Sequence, residues 1–296
     1  MEVFDVNKLK NLYRPDSNSN GEDNGSVVII GGSSLFHGAP ILALKTASRI
    51  VDMVFFSSPE PSIGEVAEQI KSKLMSFIWV PWNEIEAYIN KSDAVLIGPG
   101  LMRFTHEQED LKTEEINNID GDHDGKLTRE VTKRLLSEFK SKKWVIDAGS
   151  LQVMDAKWIP ENAILTPNNK EMELLFGNKI HNSRLKIQEL SEFIQERAKA
   201  HNCIIVAKGP ETIVASPDEI VLVKGGNAGL TKGGSGDVLA GLTVALLAKN
   251  DPFLSACSAS FIEKAAADEL YKKVGTNYNM DDLADEIPQV LHGFLK

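Results

Sequence analysis

The chain has 296 residues, enough for one large α/β domain or two small ones, and its 42% hydrophobic and 25% charged side chains are the balance of a soluble globular protein. A formal net charge of −10 excludes an extended nucleic-acid surface while leaving room for a local phosphate site. No run approaches 18 uninterrupted apolar residues and Met1–Leu12 lacks a leader pattern. Cys203 and Cys257 show neither metal nor disulfide spacing, so the expectation is a cytoplasmic protein with both cysteines in its core.

Residues 3–13 form a short amphipathic piece, and residues 14–25 a polar loop rich in Asn and Gly. Ser26–Ile30 is a β-branched run of a buried strand, leaving through Gly31-Gly32-Ser33. Gly38-Ala39-Pro40 then opens a helix over residues 41–50. Strand, glycine turn, helix is a ligand-binding geometry in open α/β sheets, or only a tight turn, and the segment alone does not separate the two. A second strand is predicted over 51–59, a helix over 63–74, a strand over 77–80 and a clear strand over 94–97 that runs into Gly98-Pro99-Gly100-Leu101.

Asp120-Gly121-Asp122-His123-Asp124-Gly125-Lys126-Leu127 imitates the opening of a calcium-binding loop. The twelfth position is Val131 and the acid is Glu130, one residue early, so the stretch reads as a solvated acidic turn before a helix over 129–140. Residues 144–151 read as a strand that puts Asp147 at the sheet edge, where a carboxylate meets a metal or a ligand hydroxyl. Another strand over 163–165 leads to Asn168 and Glu171, three apart on a helix face. That spacing fits an N-cap with a capping-box Glu better than a pair of polar ligand contacts. A helix over 187–200 and a strand over 203–207 precede Lys208-Gly209-Pro210-Glu211-Thr212, and 212–215 with 220–223 read as a hairpin.

The most informative stretch is Gly225-Gly226-Asn227-Ala228-Gly229-Leu230-Thr231-Lys232-Gly233-Gly234-Ser235-Gly236-Asp237, which empties onto a helix over 238–248. Val238, Leu239, Leu242, Ala245 and Leu246 mark one apolar face of that helix. The first N–H groups of a helix lack partners, and glycines let them approach an anion closely. A carboxylate inside such a hole repels phosphate, which points to chemistry: Asp237 can take a proton from a hydroxyl that attacks a phosphoryl group. The plainer alternative is a loose turn with a first-turn acid favoured by the helix dipole. Pro252 is expected to stop this helix, with further helices over 254–274 and 280–291.

The string from Gly226 to Gly241, together with the loop from Gly31 to Pro40 and Gly98-Pro99-Gly100-Leu101, resembles the ADP/ATP-dependent (S)-NAD(P)H-hydrate dehydratase family of the ribokinase-like superfamily. The resemblance implies an α/β fold, a three-layer αβα sandwich with a mostly parallel central sheet. It implies one catalytic domain over 26–296 behind a segment of residues 1–25, without a fused N-terminal epimerase domain. It implies dehydration of (S)-NAD(P)H hydrate with ADP or ATP as phosphoryl donor and Mg²⁺, ADP being favoured, in a homo-oligomer (a tetramer in many relatives) served by a separate epimerase. By the same resemblance Asp237 is the base. Lys208, Gly209, Pro210, Glu211 and Thr212 meet the nucleotide, as do Asn227, Ala228, Gly229, Leu230, Thr231, Lys232, Gly233, Gly234, Ser235 and Gly236. Ala39, Gly100, Asn168, Glu171 and Asp237 meet the substrate, and Glu171 holds Mg²⁺ through water.

Departures are visible. Lys232 stands where the family has Thr or Ser, and either reaches a phosphate or stays in solvent. The family's Asp-Ala-Asp is Asp147-Ala148-Gly149 here, which puts in doubt any role needing two carboxylates, and Asn168 replaces a frequent His. Tyr278-Asn279-Met280 reads as a loop near the nucleotide. A superfamily kinase of a vitamin-precursor alcohol needs the same anion hole and base and is the alternative enzyme, while a silent nucleotide sensor would not need Asp237.

Overall fold

The computed structural model describes residues 1–104, 123–177 and 187–296. Among the described residues ten strands form one sheet: β1 (Glu2–Val3), β2 (Ser26–Ile30), β3 (Met53–Ser57), β4 (Ile78–Trp79), β5 (Ala94–Ile97), β6 (Lys143–Ile146), β7 (Ile164–Leu165), β8 (Ile204–Ala207), β9 (Thr212–Ala215) and β10 (Ile220–Val223). Their order is β1-β10-β9-β8-β7-β6-β5-β2-β3-β4. Neighbours from β8 through β7, β6, β5, β2 and β3 to β4 are parallel, and only β9 runs antiparallel to its partners. The hairpin of β9 and β10 pairs Ile220 with Ala215 and Val223 with Thr212.

The helices are α1 (Gly38–Ala47), α2 (Ser62–Ile70), α3 (Ile85–Lys91), α4 (His123–Glu138), α5 (Ala148–Val153), α6 (Asn169–Phe176), α7 (Ile187–His201), α8 (Ser235–Lys249), α9 (Pro252–Val274) and α10 (Met280–Leu295). Side chains alternate across a strand, so Val27 and Ile29 of β2 enter one core while Val28 and Ile30 enter the other. The first core is closed by α1, α2, α8, α9 and α10, the second by α3, α4, α6 and α7. With both faces covered, β2 is buried along its whole length, which is why it reads as an unbroken apolar run. This is the expected α/β architecture of a mostly parallel sheet between helical layers. Among the described residues no helix is long and apolar enough to cross a membrane.

Several local expectations are corrected. Every residue of α8 from Val238 to Ala248 is buried, so it is a central helix apolar all round, not a one-faced one. Pro252 starts α9 at its first position, capped by the Asp251 side chain on the Leu254 N–H, and α8 has already ended at Lys249. The strand read over 144–151 stops at Ile146, because the chain turns at Ala148 (φ 46°) into α5. The first residues of the calcium-like stretch lie outside the described residues. Its remainder is no turn: α4 already includes His123 and Asp124, and Thr128 Oγ1 donates to the Asp124 carbonyl at 3.0 Å. The amphipathic piece over 3–13 does lay Phe4, Leu9 and Leu12 into the core, and what its sequence did not announce is that β1 extends the sheet by pairing with β10.

Candidate active site

The exits of β2, β5, β6, β7 and β8 open at one edge of the sheet, the edge to which parallel strands deliver their C-terminal ends. Gly32 N–H donates to the Pro99 carbonyl at 2.8 Å, which ties the β2 exit to the β5 exit. Ala39 in the first turn of α1 and Gly100 are thereby brought to the same corner. A Cβ on Gly100 would meet the Phe36 carbonyl at 2.6 Å and Pro40 Cδ at 2.9 Å.

The N-terminus of α8 arrives from the other side. Gly234 caps it with φ 101°, and a Cβ there would lie 2.6 Å from Leu42 Cδ1, one turn along α1 from Ala39. Among the described residues the N–H groups of Gly236 and Asp237 find no acceptor, as expected of a first helical turn. A cavity of about 530 Å³ lies against this turn. Its wall includes Lys208, Gly209, Pro210 and Thr212 from the β8 exit. Asn227, Ala228, Leu230, Thr231, Ser235 and Gly236 supply the facing wall. Glu211, Gly229, Gly233 and Gly234 are not on the wall, and neither is Lys232, whose Nζ donates to the carbonyls of Thr276 and Tyr278 at 2.5 Å each. Gly229 is buried against the Tyr278 ring.

Beside the cavity stands a knot of charge. Lys208 Nζ donates to Asp147 Oδ1 at 2.8 Å and lies 3.7 Å from Glu171 Oε2. Thr166 Oγ1 donates to the same Asp147 oxygen at 2.7 Å. Asn168 and Glu171 do form the capping box of α6: Glu171 N–H donates to Asn168 Oδ1 at 2.9 Å and Asn168 N–H to Glu171 Oε2 at 2.8 Å. Gln152 Nε2 donates to the remaining Glu171 oxygen at 3.1 Å. Both Glu171 oxygens are therefore engaged, and among the described residues no three acidic, His or Cys side chains converge as a metal cage. Mg²⁺ does not use such a cage: it keeps several waters and takes one or two carboxylates plus phosphate oxygens, so the water-mediated contact implied for Glu171 needs none. Gly149 offers no lost carboxylate either, since a Cβ there would fall 2.1 Å from the Leu101 carbonyl.

Electrostatics follow from this crowding. Burial works against the Lys208 ammonium, yet Asp147 and Glu171 outweigh it and hold its pKa above the ordinary lysine range. Burial raises Glu171, partly offset by Lys208. Asp237 is pushed up to about 7, by burial first and the Asp147 charge second, against the pull of Lys208.

The residues that sequence reasoning missed hold the loops in place. Lys264 of α9 is 4% exposed and donates to the carbonyls of Gly209 (3.3 Å), Pro210 (2.9 Å) and Gly225 (3.2 Å). Asp268, one turn on, accepts from the Gly226 N–H at 3.0 Å and from Asn227 Nδ2 at 3.2 Å. Tyr278 Oη donates to Asn227 Oδ1 at 3.0 Å, and the stretch read as a loop there is the start of α10, with Asn279 its cap and Met280 its first residue. Charged residues inside the Ala-rich run of α9 were the available signal for the first two.

Comparison with known proteins gives a consistent picture. The sequence profile of the family described as NAD(P)H-hydrate dehydratase matches residues 27–289. A bifunctional NAD(P)H-hydrate repair enzyme of Methanocaldococcus jannaschii is 36% identical over 97% of this chain, which spans only 52% of that relative. An ADP-dependent (S)-NAD(P)H-hydrate dehydratase of Nitrosopumilus maritimus is 29% identical, over 95% of this chain and 93% of its own length. In fold, the chain resembles the ADP/ATP-dependent NAD(P)H-hydrate dehydratase of Bacillus subtilis co-crystallised with ATP/Mg²⁺, at a TM-score of 0.78, 23% identity and coverage of 99% and 98%.

Proposed function

The chain belongs to the NAD(P)H-hydrate dehydratase family, and on that premise we propose that it restores NAD(P)H from (S)-NAD(P)H hydrate using ADP. The preference for ADP is supported by the N. maritimus relative, which matches nearly end to end. In this reading the nucleotide fills the cavity at the α8 N-terminus, and the hydrated ring lies toward Ala39 and Gly100. Asp237 takes the proton of the C6 hydroxyl as that oxygen attacks the terminal phosphoryl of ADP, and AMP leaves. The free N–H groups of Gly236 and Asp237 stabilise charge on the transferring phosphoryl. The ring-nitrogen lone pair then expels phosphate from C6, and loss of a C5 proton restores the double bond. The balance is hydrate plus ADP to NAD(P)H, AMP and phosphate.

The observation that carries the reading is Asp237 itself, a carboxyl pushed up to about 7 on the first turn of α8. A base with that pKa is ionised near neutrality yet strong enough to take a hydroxyl proton. Lys208, pinned by Asp147, supplies a fixed positive charge beside it. Mg²⁺, in this reading, arrives on the nucleotide's phosphates, the usual mode for that ion. The family resemblance adds a tetramer and an epimerase activity that interconverts the hydrate's epimers.

The test follows recovery of the reduced-nicotinamide absorbance from hydrated NADH and NADPH, with Mg²⁺ and either ADP or ATP. Recovery that requires nucleotide and is lost in Asp237→Ala supports the proposal and names the donor. Phosphorylation of a vitamin-precursor alcohol without recovery moves the protein to the kinase reading.

A further inference from the structure

Glu263 stands one residue before Lys264 on α9 and faces the same cavity. It is 6% exposed, and among the described residues its carboxyl has no hydrogen-bond partner. Buried carboxyls are normally paired, so an unpaired one turned into a cavity implies a partner that arrives with a ligand. The two ammonium groups that act on it are already committed, Lys208 to Asp147 and Glu171, and Lys264 to three carbonyls.

The charged groups that act on Glu263 come from three elements. They are Lys264 on its own helix, Lys208 from the β8 exit and Asp147 from the β6 exit. Lys208, Ser235 and Gly236 share the cavity wall with Glu263, so its carboxyl opens onto the space at the α8 N-terminus, the end where phosphates would lie. An ionised carboxylate only accepts hydrogen bonds, as phosphate oxygens do, and the two would repel. A protonated carboxyl has an O–H to give.

We propose that Glu263 is a nucleotide-binding residue of this chain, donating a hydrogen bond from its carboxyl O–H to a phosphate oxygen of bound ADP. The inference rests on the nucleotide reading above. It agrees with the electrostatics, since burial, only partly countered by Lys264 and Lys208, pushes Glu263 up to about 8. The carboxyl is then mostly protonated at neutral pH, and nucleotide binding draws in a proton where it is not. Above about pH 8 each ADP must bring its proton from solution, so affinity falls toward about tenfold per pH unit.

The experiment is calorimetric titration of ADP into wild type, Glu263→Gln and Asp237→Asn across the alkaline range. Two buffers of different ionisation enthalpy count the protons taken up, and thermal melts of each protein confirm folding. The expected result is uptake approaching one proton above pH 8 in wild type and in Asp237→Asn, and none in Glu263→Gln. Glutamine keeps an N–H donor, so its ADP affinity should match wild type at neutral pH and stay level as pH rises. Uptake that persists in Glu263→Gln, or affinity of wild type that does not change with pH, overturns the inference while leaving the nucleotide pocket standing. If Glu263→Gln does not fold, the proton count of Asp237→Asn decides alone: no uptake above pH 8 overturns the inference. Absence of saturable ADP binding to wild type at any pH overturns the pocket and the inference together.

Discussion

The two walls of the site are built by opposite means. The glycine-rich wall, from Gly225 to Gly236, is mostly backbone, and side chains from α9 and beyond hold it: Lys264, Asp268 and Tyr278. The carboxylate wall, at the exits of β6 and β7, is mostly side chain and is held locally, by the Asn168–Glu171 capping box and by Gln152 and Thr166. A backbone cradle has no side chains of its own to fix its shape, so it borrows buried charge from elsewhere. A side-chain wall brings its own hydrogen bonds. Damage to the first should therefore be non-local and felt in nucleotide affinity, and damage to the second local and felt in protonation or stability.

Asp237 joins the walls, and its loss is the largest effect expected. Asp237→Asn should lower kcat by roughly 10²–10⁴, the range of a lost general base, with ADP binding retained in calorimetry. The same variant removes a buried acid that is harder to ionise in the folded chain than in the unfolded one. Above about pH 7 that acid costs stability, so the melting temperature of Asp237→Asn should rise there. A variant that loses activity and stability together would show that Asp237 is structural.

Lys264→Met breaks the cradle from a distance. It strands three carbonyls at a cost of about 1–3 kcal/mol for a lost buried partner, so the KM for ADP should rise about tenfold or more with kcat at saturation little changed. A fall in kcat at unchanged KM would place Lys264 in the chemistry and erase the contrast between the walls. The pH profile sharpens it more gently. The base must be ionised, so kcat/KM should climb as pH passes about 7, the value to which Asp237 is pushed, and then level off until nucleotide binding weakens. Asn168→Ala should have the smallest effect: about 1 kcal/mol of stability for a lost helix cap, read as a lower urea midpoint, with near-normal kinetics. A drop in kcat beyond tenfold would instead make Asn168 a substrate contact, the alternative its spacing leaves open.

Much of this was legible in the chain. β-branched runs marked β2, β5 and β8, and the glycine string marked where α8 begins, because strand burial and helix-start geometry are written in consecutive residues. The capping box was readable for the same reason, its partners being three apart. Less legible was α5, where Ala148 adopts a positive φ that no residue preference announces. Lys264 sat unnoticed in a helix, since a charge inside an Ala-rich run signals a role but not that α9 turns it toward loops 39 to 55 residues upstream.

By itself, then, the sequence determined the layer architecture, the helix that carries Asp237 and the glycine turns at the strand ends, all properties of local periodicity and backbone freedom. Tertiary structure alone decided that Lys208 spends its charge on Asp147, that Gly149 has no room for a second acid, and that Asp237 is held near neutral pH. Those outcomes depend on which groups are desolvated together, and desolvation is a property of the packed site, settled only when strands distant in sequence bring their ends to one edge.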